Sequence, residues 1–143
     1  MDITGACHCG NISFTLEWQG DAAEIPARSC GCTFCVKHGG VWTSQPGATL
    51  RVRMSDAGAV SRYAFGTETA EFLLCARCGV APLVTSQIEG RIYAVVNVNT
   101  FENVERARLH AQPASFEGEE VGARLDRRRR NWIANVVLSG GNS

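Results

Sequence analysis

Cys30-Gly31-Cys32-Thr33-Phe34-Cys35 places three thiols within six residues, a C-x-C-x-x-C cluster. Two smaller pairs flank it, Cys7-His8-Cys9 upstream and Cys75-Ala76-Arg77-Cys78 downstream, and these three groups hold all seven cysteines of the chain. Thiols gathered in this way are cross-links or ligands. The N-terminus, Met1-Asp2-Ile3-Thr4-Gly5-Ala6, has neither a basic region nor an apolar run, so no secretion signal is read there and the cytoplasm is the expected location. A reducing compartment disfavours disulfides, and an odd number of thiols cannot all be paired. Metal ligation is the better reading.

Thiolates suit zinc, which binds four of them at a structural site and three protein ligands at a catalytic one, where a position stays open. The triple Cys30, Cys32 and Cys35 can cover one face of an ion unaided. Each pair supplies two ligands and needs a second pair. Joining Cys7 and Cys9 to Cys75 and Cys78 makes a closed structural site and leaves the triple as the open, catalytic one. The rival division sets Cys30 and Cys32 with Cys75 and Cys78, and it scatters Cys7, Cys9 and Cys35. The first division predicts two zinc sites, the open one not necessarily fully occupied. Gly10 and Gly79 each follow a pair directly, where a positive φ lets the turn wrap a metal and aim N–H groups at sulfur.

Around the cysteines the chain reads as short strands. Ile12-Ser13-Phe14-Thr15-Leu16-Glu17 and Thr49-Leu50-Arg51-Val52 alternate apolar with polar residues, as half-buried strands do. Val41–Ser44, Val60–Phe65, Thr69–Leu74 and Val80–Thr85 are further strand candidates, and Ile92–Val98 is the most β-branched run. Residues 22–28 read as a connector, and 103–116 as irregular because of Pro113. From Glu119 the period lengthens. Val121, Leu125, Trp132, Ile133, Val136 and Val137 fit one helical face, which predicts a C-terminal helix over about 119–138, stopped by Ser139-Gly140-Gly141. The expected fold is one mainly β domain over 1–143, largely antiparallel, with that helix at its end. With 14 basic and 14 acidic residues, 45% apolar and 20% charged, the 143-residue chain gives no global reason to expect nucleic acid as a partner, and no apolar segment is long enough to span a membrane.

The order Gly5-x-Cys7-x-Cys9-Gly10, Cys30-x-Cys32-x-x-Cys35, Phe72-x-x-Cys75-x-x-Cys78-Gly79 and Val96-Asn97-Val98-Asn99-Thr100-Phe101 resembles the glutathione-dependent formaldehyde-activating enzyme family, whose domain is shared with centromere protein V. The resemblance runs over about residues 3–110. It implies a β-tent of small antiparallel sheets stapled by zinc. It further implies a structural zinc on Cys7, Cys9, Cys75 and Cys78, and a catalytic zinc on Cys30, Cys32 and Cys35. The implied activity is a carbon–sulfur lyase reaction, the reversible condensation of formaldehyde with glutathione to S-(hydroxymethyl)glutathione, with a small thiol and an aldehyde as partners. The tail from Glu117, with Arg127-Arg128-Arg129-Arg130, matches no part of that pattern.

Other residues are weighed against plainer roles. His38, three residues beyond Cys35, is a candidate fourth ligand or proton carrier, although a lone histidine is more often neither. Thr33 suits a hydrogen bond to sulfur. The arginine run suits carboxylates or phosphates, with a solvated helix face as the commoner outcome for such a run. Trp18, Trp42 and Trp132 read as core or interface. Two other functions compete with the enzyme: a non-catalytic zinc module that binds protein or nucleic acid, and a metal-buffering or redox-sensing domain.

Overall fold

The alternating stretches do become strands. In the computed structural model, which describes residues 1–21 and 23–140, the chain runs β1 (Asp2–Ala6), β2 (Ile12–Glu17), β3 (Ile25–Cys30), α1 (Thr33–His38), β4 (Val41–Thr43), β5 (Thr49–Met54), β6 (Val60–Tyr63), β7 (Glu71–Cys75), β8 (Leu83–Ile88), β9 (Arg91–Asn97), β10 (Leu109–Ala114), α2 (Val121–Asn131) and β11 (Asn135–Gly140). Short 3₁₀ turns link β5 to β6 and β9 to β10. The mainly β expectation holds. No helix among the described residues is long and apolar enough to cross a membrane.

Two sheets form. One has four strands in the order β1-β2-β5-β11, the other seven in the order β10-β3-β4-β9-β8-β7-β6. Pairing is antiparallel except for β10 with β3 and β11 with β5, which are parallel. Isolated backbone bridges tie Gly5 of β1 to Phe101, just past β9, and Ala94 of β9 to Ile133, just before β11. Between the sheets lies the first core, where Ile3, Ile12, Leu16, Leu50, Leu83 and Ile133 are fully buried. The other face of the large sheet carries a second core built on Trp42, Phe72, Val84, Val95 and Trp132, with Cys35 of α1 packed into it. Strand alternation explains the split. In β9, Ala94 and Val96 serve the first core while Tyr93 and Val95 serve the second. Strands buried on both faces read as continuous apolar runs, as Ile92–Val96 does. Each such Val, Leu or Ile contributes roughly 1.5–3 kcal/mol by leaving water.

Three expectations need correction. The C-terminal helix is shorter than 119–138. It ends at Asn131, and Trp132 caps it in an extended conformation. Trp132 and Ile133 then point into opposite cores, a period of two, and Asn135–Gly140 pairs with β5 instead of continuing the helix. The β-branched Val136-Val137 was the available signal. Val136 is half-buried while Val137 is exposed. Of the stop signal, Ser139 and Gly140 lie in β11 and Gly141 lies outside the described residues. The segment 103–116 is not irregular, because Leu109–Ala114 forms β10. Pro113 is tolerated there because β10 is an edge strand. The connector 22–28 also becomes strand from Ile25, and its Ala22 lies outside the described residues.

Candidate metal centres and cavity

The large sheet holds the two cysteine groups on opposite sides. Cys7 follows β1 and Cys75 closes β7, and both belong to the core between the sheets. The Sγ atoms of Cys7, Cys9, Cys75 and Cys78 all lie within 4.8 Å of one another. Cys7 and Cys9 are 3.8 Å apart and Cys9 and Cys75 are 3.4 Å apart, sulfur to sulfur. Four sulfurs at the Zn–S distance of about 2.3 Å would be spaced by roughly 3.8 Å in a tetrahedron. The donor set therefore fits zinc. Gly10 and Gly79 take φ of +84° and +80°, and the Ile12 N–H donates to Cys7 Sγ at 3.3 Å. The expected glycine turns and N–H to sulfur bonds are thus present.

The protons of this group are unevenly held. Burial pushes Cys7 up to about 12, against the Ile12 N–H and with the help of the neighbouring thiols. Burial acts to raise Cys78 as well, but the N–H groups of Val80 and Cys9 and hydrogen bonds from Cys75 and Cys7 outweigh it, bringing Cys78 down to about 6. One sulfur is ready as a thiolate, while another must lose a proton before it can ligate.

The second group forms where β3 runs into α1. Cys30 ends β3, and β10 runs alongside it, the Gly31 N–H donating to the Ala114 carbonyl at 2.8 Å. Cys32 is the N-cap of α1 and accepts from the Cys35 N–H at 3.4 Å. Cys35 sits one turn further, buried. The three Sγ atoms also lie within 4.8 Å of one another. Hydrogen bonding from Cys35 and, against burial, from Cys32 brings Cys30 down to about 5, while the same bond to Cys30 holds Cys35 above the usual thiol range. Trp42 Nε1–H is buried with no hydrogen-bond partner and lies close enough to favour a thiolate on Cys35. A metal that ionised Cys35 would give that orphan donor an anionic acceptor, so this group also fits a metal. The structure therefore gathers the cysteines as four and three. The rival division is not formed.

The triple opens onto a cavity of about 470 Å³, within the range of roughly 300–1,000 Å³ usual for ligand sites. Trp42, Phe65, Phe72 and Phe116 supply apolar wall, and Arg28, Arg124, Arg127 and Arg128 supply charge. Arg28 stands two residues before Cys30 on β3 and so shares its face. The other three lie at helical spacing on one side of α2. Arg128 is 6% exposed. Its Nη1 donates to the Thr69 carbonyl, Thr69 Oγ1 and Ser86 Oγ, and its guanidinium lies 5.0 Å from the Trp132 ring. Burial, then the charges of Arg127 and Arg124, lower it to about 10, still cationic at neutral pH. Arg127 grips Glu119 with three contacts of 3.1–3.2 Å and stacks on Phe116.

The arginine run is therefore only in part the solvated face that such runs usually are. Arg129 and Arg130 are exposed, while Arg127 and Arg128 face the cavity. Arg28 and Arg124 went unnoticed in the sequence, since neither belongs to a run. The i, i+3, i+4 spacing of Arg124, Arg127 and Arg128 was a signal that could have been read. His38 is not with the triple. It stacks on Phe34 at 5.2 Å, in a shallow outer groove with Tyr63 and Phe65. Thr33 lines the cavity, but the hydrogen bond to sulfur comes from the Cys35 N–H. His8 is exposed, as expected between two inward ligands. Asn97 and Asn99 hold the frame: Asn97 Nδ2 donates to the Ala81 carbonyl and Asn99 Nδ2 to the carbonyl of Gly39, the C-cap of α1.

The family described as glutathione-dependent formaldehyde-activating enzyme matches residues 2–118. The crystal structure of a Rhodobacter sphaeroides protein is similar to this chain, with 31% sequence identity and a TM-score of 0.56 over 73% of this chain and 92% of the other. Both cysteine groups fall inside the family match, and α2 falls outside it.

Proposed function

The chain belongs to the glutathione-dependent formaldehyde-activating enzyme family, and from that premise we propose that it catalyses the reversible addition of a small thiol, such as glutathione, to an aldehyde such as formaldehyde. The observation that carries the reading is the asymmetry of the two cysteine groups. The four-thiol group has enough sulfurs to saturate an ion, with Cys7 and Cys75 buried in the core between the sheets, Cys78 half-buried and Cys9 exposed, and it acts as a structural zinc site. The three-thiol group opens on a walled cavity, and Cys30, Cys32 and Cys35 are proposed as the ligands of a catalytic zinc. Zinc there would keep a substrate thiol as its thiolate and act as a Lewis acid toward an aldehyde oxygen.

In the reaction a carbon–sulfur bond forms, the carbonyl π bond breaks, and the thiol proton ends on the aldehyde oxygen. The product is a hemithioacetal, and no oxidant or reductant is consumed. The residues of this chain bind and shield. Trp42 and Phe72 exclude water from the buried side of the triple, and the arginines offer donors to substrate oxygens. Seven unpaired thiols suit a reducing compartment such as the cytoplasm.

The test combines metal analysis with exchange spectroscopy on ¹³C-formaldehyde and glutathione. The expected result is two zinc ions per chain and hemithioacetal exchange faster than the spontaneous rate. One tightly bound zinc with no acceleration for any thiol–aldehyde pair would leave a structural zinc module instead.

A further inference from the structure

Arg28, half-buried, and Arg128, buried, line the cavity and form no ion pair with a carboxylate among the described residues. Arg28 is held by Ser44 Oγ at 3.1 Å, and Arg128 by neutral oxygens only. The Nε–H groups of Arg124 and Arg128 are buried without hydrogen-bond partners. Withdrawing a guanidinium from water is costly unless an anion compensates it. Arg124 and Arg127 are partly compensated by Glu119, at 3.9 and 3.1 Å. Arg28 and Arg128 have no carboxylate at ion-pair distance, only the field of the Cys30 sulfur on Arg28 and of the more distant Glu119 on Arg128, and they flank the same space as the three thiols.

We propose that Arg28 and the α2 arginines Arg124 and Arg128 form a carboxylate-binding subsite that selects a thiol bearing anionic oxygens, with α2 acting as the specificity wall of the cavity. The inference rests on the reading of the three-thiol group as the reacting site and names the substrate class for it. A guanidinium presents a planar fork of donors that matches a carboxylate. The apolar lining that Trp42, Phe65 and Phe72 add to the same cavity suits the uncharged middle of a small peptide-like thiol. α2 starts at Val121, beyond the family match, while Arg28 lies inside it.

The experiment measures binding without requiring turnover. S-methylglutathione has both carboxylates but no free thiol, and its dimethyl ester has neither. Quenching of Trp42 and Trp132, which line the cavity, reports occupancy. S-methylglutathione is expected to bind, and the ester to bind about tenfold to a hundredfold more weakly, since hydrogen bonds to a charged group are the stronger ones. Arg28→Gln and Arg124→Gln should each weaken the acid, leave the weak ester affinity unchanged, and flatten the salt dependence. Arg130→Gln, exposed and outside the cavity, should do none of this. Equal affinity of wild type for acid and ester overturns the subsite, even if lyase turnover is found. Arginine-dependent binding of S-methylglutathione without turnover keeps the subsite and removes the enzymatic reading.

Discussion

Cys32→Ser and Cys75→Ser each remove one sulfur, and on the proposed division they should differ sharply in stability. Cys75 is 1% exposed at the end of β7, with its Sγ 3.4 Å from Cys9 Sγ. A serine there buries a hydroxyl among apolar side chains, at a cost of about 1–3 kcal/mol. It also removes a ligand from the four-thiol site. With free zinc at about a hundred times its dissociation constant, that site stabilises the folded chain by about 2.7 kcal/mol. The two effects sum to about 4–6 kcal/mol, a large share of the roughly 5–15 kcal/mol that holds a domain folded.

Cys32 is half-buried and caps α1 by accepting from the Cys35 N–H. Serine is among the favoured N-cap residues, so Cys32→Ser keeps the cap and, with both sites emptied by a chelator, should alter fold stability by no more than about 0.5 kcal/mol. Urea midpoints followed by tryptophan fluorescence, with zinc and with a chelator, measure both. In the chelator, with both sites empty, Cys32→Ser should match the wild type while Cys75→Ser stays weakened by its buried hydroxyl. A fall for Cys32→Ser as large as that for Cys75→Ser would refute the division into a closed stapling site and an open one.

Two further outcomes are expected. At Gly5 an added Cβ would lie 2.3 Å from Phe14 Cζ and 2.8 Å from the Thr100 carbonyl oxygen. Gly5→Ala should therefore cost about 1–3 kcal/mol, read as a lowered melting temperature, and an unchanged melt would mean that β1 is not held against Phe101 as described. Cys7, pushed up to about 12, carries its proton at neutral pH, so zinc binding at the four-thiol site must expel it. Acid favours the protonated form, so zinc affinity should rise steeply between about pH 6 and 8 with measurable proton release in weak buffer; a flat affinity would contradict ligation by Cys7.

Much of the fold was legible where periodicity was strong. Phe14, Leu16, Leu50 and Val52 alternate because one face of their strands is buried, and this shows in any short window. The errors came where local and global preferences disagreed. Val136 and Val137 fit a helical face by spacing, yet the open edge of β5 pairs with that segment. Pro113 argues against regular structure until one knows that β10 lies at a sheet edge. Neither partner is close in sequence, so neither could be read locally.

What the sequence by itself determined is the grouping of the thiols. Thiols two and three residues apart, with a glycine after each pair, fit a tetrahedral metal through short-range geometry alone, and counting them separates four from three. The tertiary structure decided what stands in front of the three. Arg28 comes from β3 and Arg124, Arg127 and Arg128 come from α2, roughly a hundred residues along the chain. A face of arginines reads as solvated until a wall lies opposite it. The wall here is Trp42, Phe72 and the thiols themselves, and enclosure by them turns ordinary surface charge into unpaired donors inside a cavity.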